Sequence, residues 1–117
     1  MANTEILAAL AKVRIAKNAV NKARSDPSLN LSPAQSTMLD DTFDALTDVE
    51  DKLILQDIQS WISQIKSDGI QLASLSSKIK ATIASLGKVA TYVQDAATAI
   101  GALASALAAA YSGGLIH

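Results

Sequence analysis

Apolar residues recur with helical spacing along almost the whole chain. Between residues 4 and 24 they fall at Ile6, Ala9, Val13, Ala16, Val20 and Ala23, in alternating steps of three and four that place them on one helix face. Ala at every second one of these positions leaves room for a close partner helix, and Leu7 and Leu10 widen the stripe. Asn3 or Thr4 can cap this helix. Glu5 then lies near its positive end, with Lys22 and Arg24 near its negative end.

Residues 25–32 interrupt the pattern. Asp26-Pro27, with Ser and Asn on either side, disfavours helix by steric clash and by side chains that compete for backbone groups. A new helix starts at once. Ser32 as N-cap, Pro33 at the first helical position and Gln35 three residues after the cap form a capping box. The helical pattern then continues to about residue 66 through Met38, Leu39, Phe43, Leu46, Val49, Leu53, Ile54, Ile58, Trp61, Ile62 and Ile65, with Trp61 expected in the core. Thr47 and Glu50 repeat the capping-box spacing and allow a bend near 47. Lys66-Ser67-Asp68-Gly69 reads as a helix stop, with Gly69 available for a left-handed cap.

The final segment is the most regular. Leu72, Ile79, Leu86, Val93, Ile100 and Leu107 hold one heptad position, and Leu75, Thr82, Val89, Ala96, Leu103 and Ala110 hold the other. The expected fold is therefore all-α: a single domain forming an elongated antiparallel bundle of three long helices, about 4–24, 33–66 and 70–111, with coiled-coil-like heptad packing.

Composition narrows the chemistry. The chain has 117 residues, no Cys and one His, at the C-terminal position. Disulfides, thiolate zinc sites, Cys nucleophiles and His-based triads are thereby excluded. A net charge of −1 gives no overall pull toward nucleic acid. The charge is nevertheless segregated: five basic and one acidic residue fall in 1–24, against eight acidic and one basic in 26–57. Complementary fields of this kind favour docking of the first helix on the second. Asp40, Asp44, Asp48 and Asp51 share a helix face, as a solvated, pairing surface. Read as an EF-hand loop from Asp40, the run has Ala45 where Gly is needed and Asp51 where Glu is needed. No Gly-rich phosphate loop or Glu-x-x-His pair is present, so neither catalysis nor a metal or other cofactor is expected, and no small-molecule substrate is evident. The first residues lack a basic region, and Lys12 and Arg14 break the apolar run behind them. No cleavable signal peptide is expected, which leaves cytoplasmic and signal-independent exported locations both open.

One stretch exceeds the needs of a simple core. From Ala96 to Ile116 there is no charge, and the positions off the seam are nearly all Ala or Gly. A helix apolar all round must be covered on more than one side. The expected function is thus that of a non-enzymatic structural or interaction protein. It would self-associate into an oligomer or filament through Ala97, Ile100, Gly101, Ala104, Ser105, Ala108 and Ala109. Insertion of 96–116 into a bilayer, as an oligomeric pore, is the alternative, since Ala97, Gly101, Ser105 and Ala109 follow the small-xxx-small spacing of membrane helices. A helical chaperone or adaptor is a further, weaker option. The likeness of 96–116 to helical pore-forming toxins is one of composition, without a diagnostic motif.

Overall fold

The computed structural model describes the backbone of residues 2–55 and 58–112 and side chains within 4–54, at 62 and within 64–109. Among the described residues there are four α-helices and no strand: α1 (Ala2–Arg24), α2 (Pro33–Leu55), α3 (Ile58–Thr82) and α4 (Gly87–Ser112). Short 3₁₀ turns, Pro27–Leu29 and Ala84–Leu86, precede α2 and α4. The expected three helices are therefore four. The side chains of Trp61 and Tyr111 and the structure of 113–117 lie outside the described residues.

The α1–α2 corner forms as its residue types dictate. Asp26 accepts hydrogen bonds from the Ser28 backbone N–H (2.9 Å) and hydroxyl (2.6 Å), and Asn30 takes the left-handed conformation (φ 50°) that a short polar side chain tolerates. In the capping box, the Ser32 N–H donates to Gln35 Oε1 at 2.9 Å and the Gln35 N–H donates to Ser32 Oγ at 3.2 Å. A box of this kind stabilises a helix start by about 1 kcal/mol. Gln35 Nε2 also donates to the Thr82 carbonyl, tying the start of α2 to the end of α3.

Each helix packs on two neighbours, α1 on α2 and α4, α3 on α2 and α4. Pairings such as Arg24 with Asp40 against Lys17 with Glu50, and Gln35 with Thr82 against Lys52 with Asp68, show that successive helices run antiparallel. The molecule measures 52 × 21 × 19 Å. Along its axis runs a row of buried side chains including Val13, Val20, Leu39, Leu46, Leu53, Ile65, Leu72, Ile79, Val93 and Ile100. Each such side chain removed from water stabilises the fold by roughly 1.5–3 kcal/mol.

Several expectations need correction. The helix does not stop at 67–69. A Cβ added at Gly69 would lie 3.3 Å from the Ala97 carbonyl oxygen and 3.3 Å from Ile100 Cγ1, so this glycine serves a close approach of α4 rather than a helix end. The helix expected over 70–111 instead breaks at Ile83, whose backbone leaves helical geometry (φ −127°, ψ 78°) before the turn into α4. Ile79, Ile83 and Leu86 are all buried, so the corner keeps the apolar phase and its periodicity resembles that of one continuous helix. The capping box expected at Thr47 and Glu50 does not form: α2 is unbroken there, the Thr47 hydroxyl donates to the Phe43 carbonyl, and Glu50 reaches across to α1. Leu7, expected to widen the α1 stripe, is 61% exposed.

Gly69→Leu should lower stability by about 1–3 kcal/mol through overpacking. Gly101→Ala, where an added Cβ meets no atom within 4 Å, should raise it by up to about 1 kcal/mol through helix propensity. Urea denaturation followed by circular dichroism checks both.

Candidate functional site

Helix α4 divides into an inward and an outward half. Val93, Ala96, Ile100, Leu103 and Leu107 face the core, while Ala97 and Ala104 are buried at 5% and 1% exposure. Three of the residues expected in self-association, Ala97, Ile100 and Ala104, are therefore occupied within the bundle, because a fourth helix covers what three could not. Gly101 and Ala108 are half-buried, and Ser105 and Ala109 are exposed. Of the expected seam residues, Leu72, Leu75, Ile79, Leu86, Val93, Leu103 and Leu107 are buried and Val89 is half-buried.

The outward half of α4 over 96–109 consists of Thr98, Ala102, Ser105, Ala106 and Ala109, with Gly101 at its edge, and carries no charge. Ala102 and Ala106 belong to this surface but are absent from the residues singled out by sequence. Their signal was the same uncharged run, and assigning them needed the rotation of α4 about its axis. A shallow apolar groove flanks this face on each side. The α1/α4 groove, about 420 Å³, is lined by Ala8, Ala9, Ala99, Ala102, Leu103 and Ala106, with Glu5 and Lys12 at its rim. The α3/α4 groove, about 350 Å³, includes Ile70, Ala73, Ala97, Gly101 and Ser105, with Lys66 as its one charged lining residue. Ile70 and Ile15, at 67% and 49% exposure, extend the apolar surface beyond α4.

The opposite side of the bundle is electrostatic. Glu50 accepts from Lys17 Nζ at 2.8 Å and from Arg14 Nε at 2.9 Å, joining α2 to α1. Hydrogen bonds from Lys17 and then Arg14 hold its carboxyl below the ordinary value of 4.5. Lys52 joins α2 to α3 by a 2.7 Å contact to Asp68, and it also contacts Asp48 of its own helix at 2.7 Å. Burial alone would lower its pKa, but the two carboxylates outweigh burial and raise it above 10.5. Arg24 pairs with Asp40 at 3.2 Å and lies 3.8 Å from the centre of the Phe43 ring. Asp26 is held below 3.8 by its two Ser28 hydrogen bonds.

The segregated charges of α1 and α2 thus meet within one chain. Of the Asp stripe, Asp40 turns to Arg24 and Asp48 to Lys52. Asp41, Asp44, Asp48 and Asp68 line an open cleft of about 580 Å³ between α2 and α3, with Lys78 among them. No group of three or more His, Cys, Asp or Glu able to hold a metal ion occurs among the described residues. Comparison with protein-family models, curated proteins and solved structures gives no match to the chain.

The depressed Glu50 pKa sets a direction for acid stability. Its contribution is present above the unfolded value of 4.5 and is lost as pH falls through the lower folded value. Lys52 behaves inversely: its contribution is present below 10.5 and is lost as pH rises through its raised folded value. Glu50→Gln should flatten the part of the acid-side fall in urea midpoint that the wild type shows below 4.5, measured over a pH series.

Proposed function

We propose that this chain is a non-enzymatic structural or interaction protein that self-associates through the outward face of α4 into an oligomer or filament. The observation behind this reading is the lack of charge on that face over 96–109, between two apolar grooves. Small side chains let a second helix approach closely, so dispersion contacts and burial of grooves and face together supply the attraction. The groups with displaced pKa favour a scaffold role, since Glu50 and Lys52 join helices and Asp26 shapes a corner.

Membrane insertion of 96–116 is the second reading and has less behind it. No helix among the described residues is long and apolar enough to cross a membrane. An adaptor role, sheltering a partner helix in one groove, would use the same surface.

Sedimentation velocity over a concentration series, with and without liposomes, tests the proposal. Assembly in plain buffer is expected, and Ala102→Lys should weaken it at least about tenfold by placing a charge in the contact. A chain that stays monomeric at every concentration would overturn it. Co-flotation with vesicles and dye release, without assembly in buffer, would favour insertion instead.

A further inference from the structure

Resting on the self-association reading, we infer that the partner is a second copy of this chain, docked through the α1/α4 groove about a two-fold axis perpendicular to the bundle. The argument turns on the groove's rim charges. Glu5 and Lys12 are seven residues apart, two turns along the same side of α1, or roughly 10 Å. Neither has an ion-pair partner among the described residues. Helices α1 and α4 run antiparallel, so the groove's midpoint lies level with Ala8 and Ala9 on one side and Ala102 and Leu103 on the other. A two-fold axis at that level lays α1 antiparallel on α1 of the second copy and α4 on its α4. Glu5 of each copy then faces Lys12 of the other, and the Ala walls meet at the centre.

An interface of this kind is self-complementary, as two-fold docking requires. The α3/α4 groove and the α2/α3 cleft lack that property. The α3/α4 groove has Lys66 as its one charged lining residue, so it offers no opposite charge for its own copy to meet. The α2/α3 cleft gathers four Asp against one Lys, which repels its own copy. Ile15, one turn beyond Lys12 on the same flank and 49% exposed, adds apolar area at the edge of the α1/α4 contact.

The experiment uses charge reversal in the full chain. Glu5→Lys or Lys12→Glu alone sets like charges opposite each other twice per dimer, and each should weaken dimerisation on the order of tenfold by sedimentation equilibrium. An equimolar mixture of the two single variants should dimerise again. In a mixed dimer the rim of one copy is basic at both positions and the rim of the other is acidic at both, so every facing pair is opposite in sign. The double variant, Glu5→Lys with Lys12→Glu, should likewise recover. Both positions are exposed, and unchanged helical circular dichroism verifies the fold. Ile70→Glu, on the far groove, should leave dimerisation unchanged. Dissociation by Ile70→Glu with no effect of either charge reversal would overturn this geometry while self-association itself stands. So would growth of the assembly beyond two copies, or failure of the mixture and the double variant to recover. A wild-type chain that never associates removes both this inference and the reading beneath it.

Discussion

The bundle depends on how closely α3 and α4 approach at Gly69. With hydrogen in place of a Cβ, α3 admits the Ala97 carbonyl and the Ile100 side chain of α4 at van der Waals distance. Ala73, Ala97 and Ala104 continue the small-residue contact on either side, and this helix pair shares the most extensive packing in the molecule. Close backbones let Ile79, Val93 and Ile100 reach the common axis, where Val13, Val20 and Leu46 meet them from α1 and α2. A bulkier residue at 69 would push α4 outward and loosen every layer that touches it.

Helix α2 is held differently. Among the described residues its packing against α3 is the slightest of the four interfaces, and the two are separated in part by the Asp-lined cleft. Glu50 and Lys52, half a turn apart, reach in opposite directions to α1 and α3 and clamp one level of α2 on both sides. The Lys17–Glu50 and Lys52–Asp68 pairs are half-buried; fully exposed pairs contribute about 0.2–1 kcal/mol each. The greater effect of the clamping pairs is on register, since a slide of α2 by one turn would put Leu46 or Ile54 where Glu50 now meets Lys17. The molecule thus has an electrostatic side around α2 and, on the outward face of α4, an uncharged stretch over 96–109.

Much of the architecture was legible in the chain because it rests on local chemistry. The α1 seam from Ile6 to Ala23 is buried throughout, and the corner and capping box at 26–35 form the hydrogen bonds their residue types imply. The misreadings share one cause. Glycine marks both a helix end and a close helix crossing, and Gly69 is the second kind. An unbroken heptad phase marks both a long helix and a corner whose residues keep facing the core, as Ile79, Ile83 and Leu86 do. Local pattern does not separate these cases.

What the sequence alone determined was helical content, the polarity of each face and the end of the chain where charge disappears, because these follow from the residues and the 3.6-residue period. The tertiary structure decided the number of helices, the fate of Gly69 and which Ala residues remain outside. Ala97 and Ala102 are chemically identical and five residues apart. Only the position of α1 and α3 around α4 makes the first core and the second surface, since burial depends on the neighbours a side chain meets.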